Sequence, residues 1–279
     1  MTDEIPQQPI QLDVDSILKS RLPKHYKWIP KSLVRWIERT IHQEDMNYLL
    51  RHNAGCRGAD FCHGVLRDLN ITYDVIGKEN LPLNPRALFI SNHPLGGLDG
   101  IILMDFMASV YGPKLHFIVN DLLMAIEPLS DVFLPINKHG AQSRASSEAI
   151  DEAFEGSDPI LIFPAGLCSR MQKEGICDLR WQKTFVNKAI RYHRPLVPIH
   201  FSGTNSKSFY RTAKLREKSG LKFNLEMILL PREVFRKRGA HFTVTIGKTI
   251  YPEEIKGGKE AQQTADRLKN HIYSLAKPD

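Results

Sequence analysis

The sequence predicts an α/β fold: a largely parallel central sheet flanked by helices, with a helical segment ahead of it. Three observations lead there. From residue 71 onward, short apolar strands alternate with helical stretches, the pattern of crossover units on a parallel sheet. The chain has 279 residues, 42% apolar and 25% charged, a globular composition with enough length for one large core. No internal repeat or low-complexity linker divides it, so residues 71–279 read as one structural unit behind a helical segment over residues 1–70.

Residues 1–12 are polar, carry acids and two prolines, and lack a basic stretch followed by an apolar core, so they do not read as a secretory signal. Leu33, Trp36, Ile37 and Ile41 then recur at helical spacing behind Pro30 and Ser32, with Lys24, Lys27, Trp28 and Lys31 just before them. Two readings stay open for residues 24–41. An amphipathic helix packs on the core, or a basic, Trp-bearing segment lies in a bilayer interface with its cations at anionic headgroups. Strands are expected over 71–76, 87–90, 115–119, 132–136, 159–163, 196–201 and 241–246. Helices are expected over 101–111, 143–154, 181–192 and 259–275. The apolar stretch 101–111 is broken by Asp105 and falls short of the roughly 20 residues of a membrane-spanning helix.

Charge is uneven. Residues 183–238 hold 14 basic and three acidic side chains, while the whole chain is only +7, so the remainder is net acidic. Such a basic segment suits phosphate headgroups, an acidic carrier protein, the phosphates of coenzyme A, or nucleic acid. Four cysteines (Cys56, Cys62, Cys168, Cys177) form no CxxC pair, which argues against a disulfide scaffold or a structural zinc site and suits a reducing compartment. His63, His139, His193, His200 and His241 make no metal-ligand spacing, and no G-x-S-x-G elbow is present. Cys168, just past a strand and a glycine, remains an alternative nucleophile. The sequence 203–208 ends like a phosphate loop but lacks the Gly before Lys207.

The most informative stretch is Ser91-Asn92-His93-Pro94-Leu95-Gly96-Gly97-Leu98-Asp99-Gly100, between an apolar strand and an apolar helix. A histidine at the carboxyl end of a strand can serve as a base near pH 7. Asp99, at the mouth of the next helix, can bond its other ring nitrogen and fix the tautomer. The glycines allow a tight turn and a close substrate approach.

The Asn92-His93…Asp99-Gly100 block resembles the first motif of the glycerolipid acyltransferases, the lysophosphatidic acid acyltransferase family. Five residues separate His93 from Asp99, where the usual signature has four. Pro94 and the Asp-Gly ending resemble a bacterial, hemolysin-like subgroup that acylates amino-acid lipids of the ornithine and glycine type. Phe163-Pro164-Ala165-Gly166-Leu167-Cys168-Ser169-Arg170 resembles the family's Phe-Pro-Glu-Gly-Thr-Arg-Ser motif, with Ala165 in place of Glu. Val197-Pro198-Ile199 resembles its late Val-Pro-Val strand, and Lys138 falls near the arginine of its second block.

The resemblance, spanning roughly residues 71–247, implies an enzyme that moves a fatty acyl chain from an acyl thioester to the hydroxyl of a lyso amino-acid lipid. His93 would be the general base, oriented by Asp99. Asn92, Gly96, Gly97, Lys138, Gly166, Ser169 and Arg170 would bind substrate, with Arg170 or backbone N–H groups at the oxyanion. The implied partners are the lyso-lipid, acyl carrier protein or coenzyme A as donor, and a membrane surface on the cytoplasmic face. No metal, redox cofactor or nucleic acid is implied. The departures at Lys138 and Ala165 point away from lysophosphatidic acid, which remains the alternative acceptor within the family. Outside it stand a basic lipid-binding protein without catalysis and a nucleic-acid-binding protein using residues 183–238.

Overall fold

The computed structural model describes residues 11–21, 23, 25–120, 123–124, 126–136, 144–220 and 225–276. Lys138 and His139 lie outside them. Among the described residues, seven strands form one sheet in the order β1-β9-β8-β2-β5-β3-β4. These are β1 (Thr72–Ile76), β2 (Leu88–Ser91), β3 (His116–Asn120), β4 (Phe133–Ile136), β5 (Ile160–Ile162), β8 (Leu196–Phe201) and β9 (His241–Ile246). A separate antiparallel hairpin joins β6 (Arg170–Gln172) to β7 (Gly175–Cys177). The helices are α1 (Val14–Arg21), α2 (Lys31–Thr40), α3 (Gln43–His52), α4 (Gly58–Asp68), α5 (Leu98–Tyr111), α6 (Arg144–Glu155), α7 (Thr184–Arg191), α8 (Lys207–Ser219), α9 (Leu230–Phe235) and α10 (Ala261–Ser274).

Five adjacent strands, β8-β2-β5-β3-β4, run parallel. The pair β1–β9 is parallel within itself but meets β8 antiparallel through β9. The expected strands over 71–76, 196–201 and 241–246 therefore form, and the sheet is parallel except at that one junction. The hairpin was not expected from the sequence. Neither were α8 and α9, whose residues read as a basic run because charges dominate them.

Strand periodicity sorts the core onto two faces. In β2, Leu88 and Ile90 face a layer built with Ile150 and Phe154 of α6, Phe185 and Val186 of α7, and Ala265, Leu268 and Ile272 of α10. Phe89 faces the other layer, with Phe61 and Val65 of α4 and Ile102, Leu103 and Met107 of α5. Burial on both sides explains why β2 is a continuous apolar run, while β9 alternates Phe242, Val244 and Ile246 inward with His241, Thr243 and Thr245 between them. Helix α4 supplies Phe61, Cys62, Val65 and Leu66, and α3 supplies Leu49, to the same core as the sheet, so α4 packs into it.

The chain leaves β2 through α5 on one face and leaves β5 towards α7 on the other, although β2 and β5 are neighbours. That divergence is the arrangement at which open α/β sheets place their sites, beyond the carboxyl ends of the two strands.

The layers are tied at the opposite end by Arg194. This residue is wholly buried, and its guanidinium donates to the carbonyls of Phe154, Ala153, Gly156 and Asp158 at 2.6–2.9 Å. These carbonyls end α6 and begin the approach to β5, so the cation satisfies acceptors the helix leaves unpaired. Burial and the neighbouring Arg86 push the guanidinium down to about 10, still charged at neutral pH. Arg86 also donates to the Gly156 and Phe154 carbonyls, so Arg194→Met should strip the Ala153 and Asp158 carbonyls of the Arg194 donor and cost about 3 kcal/mol in urea unfolding. A cost below about 1 kcal/mol would show that they find other partners.

Candidate active site

The turn after β2 carries His93, and the first turn of α5 carries Asp99. His93 Nδ1 lies 2.9 Å from Asp99 Oδ2. Asp99 is wholly buried, so its charge needs donors, and the chain wraps around it to supply them. The backbone N–H groups of Leu95 (2.9 Å) and Gly96 (3.3 Å) donate to Oδ2, and those of Gly97 and Gly100 (3.0 Å each) to Oδ1. The N-terminal end of α5 adds a favourable field. Burial drives the Asp99 carboxyl upward, but the His93 imidazole and the N–H groups of Leu95 and Gly100 outweigh it and hold it below the ordinary range. An ionised Asp99 accepts, so His93 Nδ1 carries the proton and Nε2 presents a lone pair. Among the described residues, Nε2 has no protein partner, and the side chain keeps 15% exposure.

Two glycines of this turn answer to packing. Gly96 has φ +80°, and a Cβ there would come within 3.0 Å of Cys168 Sγ and 2.9 Å of Leu230. A Cβ at Gly100 would meet the Phe117 ring at 2.9 Å. Phe117 in turn stands edge-on to Phe163, which stacks under the His93 imidazole with centroids 3.9 Å apart and planes 15° from parallel. The end of β5 thus forms the floor for a base delivered by β2.

The other expected binding residues are placed differently. Asn92 is buried and staples β2 to β8, donating to Phe201 O (2.9 Å) and accepting from Phe201 N (2.7 Å). Gly97 opens α5, and Gly166, at φ +65°, closes a turn onto Phe163 O at 2.9 Å. Ser169 is buried; its N–H donates to His93 O (2.7 Å) and its hydroxyl to Asp178 Oδ1 (2.6 Å). Arg170, expected to bind substrate or meet the oxyanion, is paired within the protein. Its guanidinium is buried against Glu226 (2.8 Å), the Cys168 carbonyl (2.6 Å) and the Phe209 ring, an ion pair that fastens the hairpin to the segment before α9. Cys168 is also buried, and burial pushes its thiol up to about 11, which removes it as a nucleophile. No cluster of metal-ligating side chains occurs among the described residues.

Sequence reasoning missed Asp178. This wholly buried carboxylate accepts the His93 backbone N–H (3.1 Å), the Ser169 hydroxyl and the Trp181 indole N–H (2.9 Å). Its own N–H donates to the Tyr273 hydroxyl (2.7 Å), and Lys269 donates to its carbonyl (2.6 Å), both from α10. Nothing in the local sequence marks it, because its partners come from four separate segments. Asn205 was missed likewise; its amide donates to the carbonyls of Pro94 and Leu95 at 3.2–3.3 Å.

A family model described as "Acyltransferase" matches residues 16–277. The chain is 40% identical over 264 residues to the lyso-glycine lipid O-acyltransferase of Bacteroides thetaiotaomicron, covering 95% of this chain and 97% of that protein. It is equally similar, at 40%, to the lyso-glycine lipid O-acyltransferase of Phocaeicola vulgatus, with 95% of each chain covered. The crystal structure of the 1-acyl-sn-glycerophosphate (LPA) acyltransferase PlsC from Thermotoga maritima superposes with a TM-score of 0.49 at 16% identity, over 88% of this chain and 97% of that one.

The buried turn generates a pH prediction. Asp99 is held below its unfolded value near 3.8, so its stabilisation is complete above that value and is lost as pH falls through the folded one. Asp99→Asn turns an NH2 towards donors, and should cost about 2–4 kcal/mol at pH 7. The gap from wild type should stay constant down to about pH 5 and narrow only below pH 4. Chemical denaturation across that range checks it, and a gap fading between pH 7 and 6 would refute the depressed carboxyl.

Proposed function

The chain belongs to the acyltransferase family, and from that membership we propose that it O-acylates a lyso amino-acid lipid of the glycine-lipid type. The observation that carries the reading is the His93–Asp99 pair at the carboxyl end of β2, with Nε2 free of protein partners among the described residues and the side chain partly exposed. The 40% identity to two lyso-glycine lipid O-acyltransferases over nearly the whole chain supports the choice of acceptor.

His93 Nε2 takes the proton from the acceptor hydroxyl as its oxygen attacks the thioester carbonyl. Asp99 holds the ring and stabilises the imidazolium that forms. The tetrahedral oxyanion needs donors that are not already spent. The N–H groups of Leu95, Gly96, Gly97 and Gly100 are committed to Asp99, and Arg170 to Glu226. The turn under His93 is then the place from which backbone N–H groups meet the oxyanion: Ala165, Leu167 and Cys168 carry the N–H groups there, since Pro164 has none and that of Gly166 bonds Phe163 O. Collapse expels the thiol, which takes the proton from His93. The thioester is already activated, so the route needs no covalent enzyme intermediate.

The donor is an acyl carrier protein or coenzyme A thioester. Arg211, Lys214 and Lys218 lie exposed on α8, beside the site, and suit either the acidic carrier or the phosphates of coenzyme A. No described helix is long and apolar enough to cross a membrane. The acceptor is met at a membrane surface, on the cytoplasmic face, by the amino-terminal helices. Trp28 is 84% exposed, and Leu33 and Trp36 stand out from α2, whose only buried residue is Val34. Lys27, Lys31 and Arg35 flank these apolar side chains.

Purified protein with acyl-ACP or acyl-CoA and a lyso-glycine lipid should yield the diacylated lipid by mass spectrometry. His93→Ala should lower turnover at least about 100-fold while retaining the fold. Phosphatidic acid formed instead from lysophosphatidic acid would overturn the acceptor, and turnover unchanged in His93→Ala would overturn the mechanism. The double variant Trp28→Ser/Trp36→Ser should weaken sedimentation with anionic vesicles about tenfold or more; unchanged binding would move the docking face elsewhere.

A further inference from the structure

We infer that Asp178 is a second carboxylate serving His93, a positioning residue that fixes the base through its backbone. The inference rests on the reading of His93 as the general base.

The geometry is specific. Two obligate donors, the His93 N–H on Oδ1 and the Trp181 Nε1–H on Oδ2, occupy both oxygens of Asp178. Ser169 joins them at 2.6 Å and closes a ring, because its own N–H donates to His93 O. Both backbone polar groups of His93 are thereby held, the N–H by Asp178 and the C=O by the residue that Asp178 anchors. Asp99 orients the ring; Asp178 orients the peptide from which the ring projects.

Every one of these partners donates to Asp178. Burial pushes its carboxyl above the ordinary range, against the pull of Ser169, Trp181 and His93. The anchor is therefore built of hydrogen bonds from four segments: the turn after β2, the start of the hairpin, Trp181 before α7, and α10 through Tyr273 and Lys269 on its backbone groups.

Asp178→Asn keeps the shape of the side chain but sets an NH2 against donors, so the His93 peptide loses its anchor. The variant's kcat should fall about a hundredfold with the KM of both substrates within twofold, as expected of a base displaced rather than a binding group lost. Ser169→Ala removes one donor from Asp178 and should lower kcat in the same way but by less, and Asp178→Glu, which keeps the carboxylate, should recover part of the loss. A role confined to holding the fold lowers the unfolding midpoint and leaves the kcat of the folded protein unchanged. Unchanged kcat in Asp178→Asn and Ser169→Ala overturns the inference; if Asp178→Asn does not fold, Ser169→Ala decides alone. The same kcat loss in a protein that acylates a different lyso-lipid would leave Asp178 as inferred and sink the proposed acceptor.

Discussion

A carboxylate with no exposure to water must be surrounded by donors, and at Asp99 that requirement shapes everything near it. Four backbone N–H groups and one imidazole converge on it. Bringing Leu95, Gly96, Gly97 and Gly100 to a single side chain forces the chain to curl at the mouth of α5. The curl needs a left-handed residue at Gly96, where Cys168 and Leu230 also leave no room for a Cβ. The residue count between His93 and Asp99 is a consequence of this wrapping, since the Gly96–Gly97 pair absorbs the length while Nδ1 stays within 2.9 Å of Oδ2.

The site depends as much on topology as on that turn. Because α5 and α7 leave neighbouring strands towards opposite faces, the ends of β2 and β5 stand open side by side. Phe163 can then lie flat against His93. The hairpin and α10 close the far side through Asp178, Tyr273 and Lys269. One histidine is thus held by segments spread from residue 93 to residue 273. The two buried carboxylates beside it differ in electrostatic balance. Asp99, with four backbone donors and the His93 ring, lies below the ordinary carboxyl range, whereas Asp178, where burial dominates, lies above it.

The elements that were legible are those whose pattern arises from a single local cause. The strand 241–246 alternates because one face of β9 packs on the core, and 196–201 is a buried apolar run; both were readable and both form as β9 and β8. The strand–turn–helix around His93 was readable because glycines, an acid and an apolar helix fall in order. Helices α8 and α9 were obscured by charge, since their buried residues Phe209, Tyr210 and Leu230 are few and pack in a small cluster with Cys168, Ile176 and Leu229, apart from the two main cores. The helix expected from residue 181 begins at Thr184, because Trp181 is drawn into the core by its bond to Asp178.

The sequence by itself determined the α/β class, the placing of His93 and Asp99 on one turn, and the acyltransferase resemblance, because each is assembled from short stretches whose pattern is set locally: alternating strands and helices, one strand–turn–helix, and brief motifs in order along the chain. Only the tertiary structure decided what Asn92, Ser169 and Arg170 do. All three fall inside motif-like stretches, yet each is buried and spent on a partner far along the chain: Phe201, Asp178 and Glu226. A side chain's role at a site is set by which donor or acceptor reaches it first. For residues at the ends of strands, that partner is chosen by the crossovers, which local sequence does not encode.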